Sequence, residues 1–341
     1  MGALLPSVTT RSLRPSPIPT SPSVEGPAPE RVHRPIPITA AHRAEYAALR
    51  GAAGLLRGLG LRGASAVGAR IGGLGFSPLK IRRGVAEDQI AKAFPEYTPD
   101  KVADIARRSY EHLGRTAMET AILPSRSRDE IVELFEQVDG WNIVEERLAR
   151  GHGLMLVSGH VGNWELGGAY LAARGLPVSV VARHMANPLV DRYLTRTRER
   201  VGLDVIHDEV AVRRVPRALR SGRAVAFLVD QAAIGLASTW VPFFGRLAKT
   251  PRGPAVFALR LDTPVVFAGV SRLPRGRFKF SFEAVDVPRT GVLDDDVDAI
   301  VASYTKALEA FVRNAPEQYL WQHRRWKHLP PPDRARGKTP P

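Results

Sequence analysis

The stretch that decides the fold is LMLVSGHVGNWE at residues 154–165. It begins with a short apolar run typical of a buried strand, and Gly159 and Gly162 favour a turn before a helix that starts at Trp164. The same alternation continues along the second half of the chain. It predicts strands at 154–157, 178–181, 224–229, 265–270 and 278–282, and helices at 164–173, 188–201, 210–220, 251–261 and 295–314. The sequence therefore predicts an α/β fold in which helices flank a central mixed sheet.

A histidine follows the first of these strands directly. His160 would lie at the carboxyl end of the strand, where open α/β sheets usually bind their ligands. Glu165 comes five residues later, and on one continuous helix the two side chains would point about 140° apart. Gly159 and Gly162 allow a turn that would let the Glu165 carboxylate fold back toward the imidazole. Such a pair suits removal of a proton from an attacking hydroxyl group near pH 7, although for an isolated pair an unrelated histidine and glutamate is the commoner interpretation.

Other polar side chains follow the neighbouring strands. Arg183 comes after the second strand and Asp230 after the third, so both would lie at the same edge of the sheet as His160. The segment VPFFGRLAKT at 241–250 joins apolar side chains to basic ones, which fits a site for an apolar chain and a phosphate; the alternative is a packed surface turn. The segment PEQYLWQHRRWK at 316–327 is dense in aromatic and cationic residues, and a core-packed terminal segment with a solvated basic tail explains it equally well.

The chain divides into a tail, a domain and a second tail. Residues 1–39 are rich in Pro, Ser and Arg and are predicted to be disordered, as is the basic segment at 329–341. Between them we predict a single domain at 40–328, mainly helical over 40–150 and α/β with the catalytic site over 151–328.

The helical part begins with a segment of unusual composition. Residues 40–83 combine Ala, Leu and Gly with arginines, which predicts amphipathic helices that pack on the core, contact a membrane surface, or do both. Two further helices are predicted at 100–123 and 128–150.

Composition narrows the function classes. The chain of 341 residues has no cysteine, which excludes disulfides, thiolate nucleophiles and cysteine-based metal sites. Its net charge of +15 favours anionic partners, whether nucleic acid, anionic lipid or a phosphorylated substrate. No zinc-ligand spacing, aromatic RNA-binding signature or basic recognition helix is visible, so we predict no nucleic-acid partner. No apolar stretch approaches the roughly 18 to 20 residues that span a bilayer, and the first residues lack the order of a signal peptide.

Six stretches, taken in order, resemble one family. They are IRRGVAEDQIAKAFPE at 81–96, SGHVGNWE at 158–165, ARHMANPLVDR at 182–192, LVDQ at 228–231, VPFFGRLAKTPRG at 241–253 and PEQYLWQHRRWK at 316–327. They are similar to the lipid A biosynthesis acyltransferases of the lauroyl and myristoyl type, and to the related phosphatidylinositol mannoside acyltransferases. The resemblance implies a glycerolipid-acyltransferase-like fold and an O-acyltransferase at the cytoplasmic face of the inner membrane. Many members of the lipid A branch begin with a membrane-spanning helix, whereas this chain has a Pro-rich tail and interrupted amphipathic segments, so we expect peripheral attachment.

The resemblance also implies roles for individual residues. His160 matches the catalytic histidine of the family, and Glu165 matches the acidic partner in its H-x4-D/E motif. Asp230 matches a second acidic position that is proposed to support the histidine in some relatives, so either carboxylate is a candidate for the orienting group. Arg183 matches an arginine thought to bind the acceptor phosphate or to stabilise the developing oxyanion.

Five more residues are predicted to bind substrate. From side-chain type, we expect Trp164, Phe243 and Phe244 to line the acyl channel, with Asn163 and Lys249 as further substrate contacts. The resemblance implies acyl carrier protein or coenzyme A thioester as co-substrate, with no metal and no other cofactor. The remaining partners would be anionic membrane lipid and a lipid acceptor, for which a lipid A precursor is the first choice. Another glycolipid or aminolipid acceptor, a thioesterase that uses water, and an inactive lipid-binding relative remain as alternatives.

Overall fold

The computed structural model describes residues 36–232 and 237–330. The two predicted tails lie outside the described residues except for 36–39 and 329–330, which belong to no helix or strand. Their disorder therefore stays a prediction.

Helices and strands alternate along most of the described chain. The helices are α1 (Ala40–Phe76), α2 (Arg83–Ala93), α3 (Pro99–Ile122), α4 (Arg128–Glu133), α5 (Trp141–Leu148), α6 (Trp164–Ala173), α7 (Pro188–Arg200), α8 (Ala211–Arg220), α9 (Gly253–Leu261) and α10 (Leu293–Asn314). The strands are β1 (Phe135–Asp139), β2 (Leu154–Ser158), β3 (Val178–Ala182), β4 (Asp204–His207), β5 (Ala224–Leu228), β6 (Ser238–Phe243), β7 (Arg246–Pro251), β8 (Val265–Arg272) and β9 (Phe278–Val285).

A seven-stranded mixed sheet forms the centre, with strand order β1-β9-β8-β2-β5-β3-β4. The five strands from β8 to β4 are parallel, whereas β9 pairs antiparallel with β8, and β1 pairs parallel with β9. The parallel strands end at one edge, so the residues that follow β2, β5 and β3 come together there. The predicted mixed sheet with flanking helices is confirmed.

Alternate residues of β2 face two different cores. Met155 and Val157 pack into a core formed with helices that include α2, α8, α9 and α10. Leu154 and Leu156 pack on the opposite face with side chains from α4, α5 and α6. Because both faces are covered, the strand has a continuous apolar sequence rather than an alternating one.

One predicted helix, at 128–150, is wrong. The segment contains α4, the edge strand β1 and α5. Gly140 breaks the helix with φ of 75°, and a Cβ there would lie 2.3 Å from the carbonyl oxygen of Phe282. β1 forms because the free edge of β9 offers backbone partners, and no pattern within a five-residue strand reveals that long-range pairing.

The structure also contains strands that the sequence did not predict. β4 extends the sheet at its other edge, and the segment at 241–250 contributes to an antiparallel hairpin of β6 and β7. The hairpin turns at Phe244 and Gly245, which both have positive φ, as a tight two-residue turn requires. The strands of the hairpin pair with each other and not with the central sheet, so only the middle of this segment is a turn.

The helix α1 both packs on the protein and exposes apolar side chains. It kinks at Gly60, where φ is 66°, and then crosses α3 so closely that a Cβ on Gly114 would lie 2.0 Å from the Gly68 carbonyl oxygen. Its opposite face exposes Leu55, Leu59, Ile71 and Leu74. Within the described residues, no helix is both long and apolar enough to cross a membrane.

Candidate active site

The site centres on a hydrogen-bonded pair of His160 and Asp230. The Nδ1 atom of His160 lies 2.8 Å from Oδ1 of Asp230, and the backbone N–H of His160 donates to Oδ2 at 3.0 Å. β2 and β5 are neighbours in the sheet, so the residues that follow them meet although 70 positions separate them in the sequence. The two bonds fix both the backbone and the ring of the histidine.

The charge on Asp230 sets the tautomer of the histidine. Burial raises the pKa of the Asp230 carboxyl, but the interactions with His160 outweigh this effect and lower the pKa to about 2. An ionised carboxylate accepts hydrogen bonds and cannot donate, so Nδ1 of His160 carries the hydrogen and Nε2 carries the lone pair. The His160 side chain is 21% exposed, whereas that of Asp230 is 2% exposed. The arrangement presents a base to a solvent-accessible site and hides its carboxylate.

The C-terminal segment covers Asp230. Tyr319 is buried, and burial together with the nearby Asp230 carboxylate raises its pKa well above the usual range. Arg325 is also buried, donates to the Lys249 carbonyl at 2.7 Å and to Thr250 Oγ1 at 2.6 Å, and adds a favourable charge beside Asp230. An ionised carboxylate thus stays buried because it accepts hydrogen bonds and lies near the charge of Arg325.

His323 is a further group near the pair. Burial lowers its pKa to about 4, and it interacts electrostatically with both Asp230 and His160. A neutral His323 leaves Arg325 as the permanent cation that interacts with Asp230.

Glu165 does not form the hydrogen bond to His160 that the sequence predicted. Its carboxylate accepts from Nε of Arg198 at 3.0 Å, from Nη2 of Arg198 at 2.6 Å, and from the Trp164 indole at 3.2 Å. Burial raises the pKa of Glu165, but the charge and hydrogen bonds of Arg198 outweigh this effect. The pKa is therefore below its ordinary value, and the group is ionised. The reason is geometric: Glu165 sits in the first turn of α6, facing α7, and Arg198 on α7 supplies a permanent cation.

Asn163 caps α6, and Trp164 is the first residue of that helix. The Trp164 ring meets the His160 ring edge to face, with 4.9 Å between centroids. Asn163 is fully buried; its Oδ1 caps α6 by accepting from Leu166 N–H at 3.0 Å, and its Nδ2 donates to Glu119 at 2.7 Å. Contact of either residue with substrate stays a prediction.

The turn itself tolerates only glycine at one position. Gly162 has φ of 58°, and a Cβ there would lie 1.4 Å from the Val270 carbonyl oxygen. Its N–H donates to the Gln318 carbonyl at 2.9 Å, and Val161 forms a bridge with Tyr319. The turn is therefore held between β8 and the C-terminal segment, which fixes the position of His160.

The other predicted substrate residues are not at the His160–Asp230 pair. Arg183 follows β3; its Nε donates to Asp208 at 3.2 Å and its side chain is 54% exposed. Phe243 and Phe244 are buried in an aromatic cluster with Phe94, Trp321 and Tyr319. Lys249 is linked to the site through its carbonyl, which accepts from Arg325. Their substrate contacts also stay predictions.

Several site residues were missed by the sequence reasoning. Tyr319, His323 and Arg325 belong to the quoted segment at 316–327, but its pattern did not show which side chains turn inward. Arg198 had no signal, since it is one of several arginines on α7 and only the packing against α6 distinguishes it.

The arrangement can do general-base chemistry. A neutral imidazole with Nε2 unprotonated can take a proton from a hydroxyl, and the buried carboxylate then stabilises the imidazolium that forms. Such a site needs no covalent intermediate with the protein.

Comparison with known proteins identifies relatives over most of the chain. The family model described as bacterial lipid A biosynthesis acyltransferase matches residues 42–328. The lipid A biosynthesis palmitoleoyltransferase of Escherichia coli (strain K12) is 27% identical over 267 residues, which cover 77% of this chain and 85% of that protein. The lipid A biosynthesis lauroyltransferase of the same strain is 26% identical over 269 residues, covering 77% and 85%. The phosphatidylinositol mannoside acyltransferase of Mycolicibacterium smegmatis is 24% identical over 202 residues, covering 58% and 64%.

Proposed function

The chain belongs to the bacterial lipid A biosynthesis acyltransferase family, and we propose that it transfers a fatty acyl group from a soluble thioester to a hydroxyl group of a lipid A precursor. Acyl carrier protein or coenzyme A would carry the donor chain. The observation that carries the proposal is the pair of His160 and Asp230 at the carboxyl edge of the sheet. Names of two relatives, a palmitoleoyltransferase and a lauroyltransferase of lipid A biosynthesis, support the choice of acceptor.

In this proposal His160 moves one proton in two steps. Nε2 takes the proton of the acceptor hydroxyl as its oxygen attacks the thioester carbonyl carbon. The tetrahedral intermediate then collapses, the C–S bond breaks, and the imidazolium returns the proton to the sulfur of the leaving thiol. General acid-base catalysis of this kind contributes about 10²- to 10⁴-fold. Asp230 holds the required tautomer and stabilises the imidazolium throughout.

Other residues would act around this pair. Arg183, exposed at the end of β3, would face the acceptor or the oxyanion. Trp164, Asn163, Phe243, Phe244 and Lys249 would shape the acyl site. Glu165 would act indirectly, since it holds Trp164 against His160 while Arg198 neutralises its charge.

We also propose peripheral attachment to the cytoplasmic face of the inner membrane. Leu55 and Leu79 are 79% and 64% exposed, and Arg57 and Arg70 are exposed on the same helix as Leu55. Apolar side chains would enter the interface while each nearby cation contributes about 1 kcal/mol toward anionic lipid. Binding to vesicles that contain phosphatidylglycerol should fall as salt rises and fall again in Leu55→Gln. The matched control Val212→Gln, 75% exposed on α8, should bind as the unmodified protein does; salt-insensitive binding would count against this attachment.

A pair of histidines gives a matched test of the chemistry. His160 follows β2 and His152 precedes it, so the two lie at opposite ends of one strand. Purified protein is incubated with labelled acyl carrier protein thioester and a lipid A precursor, and products are identified by mass spectrometry. We expect the acylated lipid from the unmodified protein and from His152→Ala, and a loss of about 10³-fold or more in His160→Ala. Full transfer by His160→Ala would overturn the mechanism, and free fatty acid as the sole product would assign a thioesterase instead.

A further inference from the structure

A cationic cleft lies beside the catalytic turn and plays no part in the mechanism above. It has a volume of about 760 Å³, and α1, α3, the β8–β9 loop and the segment before Tyr319 form its walls. Gln318 lines the cleft, and its carbonyl accepts the N–H of Gly162. The cleft therefore adjoins the turn that carries His160.

Charge in the cleft is strongly unbalanced. Five arginines and two glutamates line it, namely Arg62, Arg108, Arg115, Arg272, Arg275, Glu111 and Glu317. Both glutamates already have partners, since Glu111 pairs with Arg107 and Glu317 with Arg108 at 3.2 Å. Arg272 pairs with the buried Glu119.

Three guanidinium groups in the cleft have no such partner. Among the described residues, Arg62 and Arg275 form no ion pair, and Arg115 donates only to the neutral Ser65 hydroxyl at 3.2 Å. Like charges gathered in one cleft repel one another, so an anion bound there would lower the energy of all three. The planar guanidinium group is the side chain best suited to binding phosphate through two hydrogen bonds.

A second observation also points to a ligand. His112 lines the cleft and is 7% exposed, yet its Nε2 atom has no hydrogen-bond partner. Burial, and then the charge of Arg272, lowers the pKa of His112 to about 3, so the ring is neutral and does not add to the charge. A buried polar atom without a partner costs free energy, and a hydroxyl group of a ligand in the cleft would satisfy it by donating to Nε2.

We infer that the cleft binds a phosphate monoester on a sugar or polyol headgroup, and that the lipid acceptor brings this group. A free phosphate would fill only a small part of the volume, whereas clefts of this size hold ligands the size of a phosphorylated headgroup. The assignment of the acceptor as the source rests on the proposed acyl transfer. Arg183 lies at the end of β3, on the other side of His160 from Arg272 at the end of β8, so this is a separate site.

Binding is tested without turnover, which separates this inference from the proposed function. Full-length His160→Ala protein is titrated with glucose 1-phosphate, glucose and inorganic phosphate, and binding is measured by calorimetry. We expect glucose 1-phosphate to bind more tightly than inorganic phosphate, and glucose not to bind. Arg62→Gln and Arg275→Gln, both changes of exposed residues that leave the core intact, should each weaken binding of the ester about 10-fold. The matched control Arg43→Gln, an exposed residue on the same helix but outside the cleft, should have no effect.

The source of the phosphate is tested by transfer kinetics. With the phosphorylated acceptor, Arg62→Gln and Arg275→Gln should raise KM about 10-fold and leave kcat nearly unchanged; with the phosphatase-treated acceptor, they should match the unmodified protein. Equal binding of glucose and glucose 1-phosphate, or an unchanged Kd in both arginine variants, would overturn the site. Binding of the ester with unchanged KM in both variants would overturn the acceptor as its source.

Discussion

Two largely buried carboxylates, Asp230 and Glu165, lie near His160, and they have different kinds of partner. Asp230 bonds to His160, whose charge changes when it takes a proton. Glu165 bonds to Arg198, whose charge is permanent. In the proposed mechanism the negative charge of Asp230 is therefore available to the imidazolium, whereas that of Glu165 is already compensated by Arg198. Proximity to a histidine does not make a carboxylate its catalytic partner.

Of the two carboxylates, Asp230 should show the larger loss of activity when it is neutralised. In Asp230→Asn the amide N–H group would face Nδ1, which shifts the hydrogen to Nε2 and removes the base. We expect kcat to fall about 10³- to 10⁴-fold, as for the equivalent change in a serine protease triad. The transfer assay measures this, with the exposed Asp295→Asn as control. Retention of activity within about 10-fold would show that Asp230 does not orient the base.

Neutralising Glu165 should affect stability more than chemistry. In Glu165→Gln, Arg198 would stay largely buried without its charged partner, and loss of such a pair costs about 3–5 kcal/mol. We expect a clear fall in Tm but only about a 10-fold fall in kcat, with the pH profile of kcat/KM unchanged.

A double variant separates the two interpretations of Glu165. If the loss comes from an uncompensated arginine, Glu165→Gln combined with Arg198→Met should recover part of the stability. A changed pH profile in Glu165→Gln, with Tm unaltered, would instead place Glu165 on the proton path.

The titration of Asp230 gives a third contrast. Its folded pKa is about 2 and the ordinary value is 3.8, so between these values the unfolded chain binds the proton that the folded protein does not. The corresponding stability, on the order of 2 kcal/mol, is present above pH 4 and is lost as pH falls toward 2. Acid titration of unfolding should therefore show a shallower loss in Asp230→Asn than in the unmodified protein. Equal slopes would show that Asp230 is not held ionised by its neighbours.

The sequence predicts those features of the site that depend on local patterns, but not those that depend on contacts between residues far apart in the chain. The apolar runs that became β2, β3, β5, β8 and β9 were visible because both faces of the sheet are covered. The rule that parallel strands end at one edge then brought His160, Asp230 and Arg183 into one region. Spacing alone could not decide between Glu165 and Asp230, since the choice depends on α7 packing against α6 and on β5 lying next to β2.

The missed elements have the same physical cause. β1 and β4 are short edge strands, and each forms because a neighbouring strand offers free backbone groups. Tyr319 and Arg325 reach the site because the segment at 316–327 folds back over Asp230. These are long-range contacts, and no local pattern of residues predicts them.

The smallest expected effect concerns Trp164, which links Glu165 to His160. Trp164 contacts the His160 ring and donates its indole N–H to Glu165 at 3.2 Å. Trp164→Phe keeps a ring beside the imidazole but removes the hydrogen bond, while Glu165 keeps both bonds to Arg198. We expect a fall of only a few-fold in kcat, about 1 kcal/mol, with Tm almost unchanged. A loss as large as that of Asp230→Asn would mean that Glu165 controls the base through the Trp164 ring. The distinction drawn between Asp230 and Glu165 would then fail.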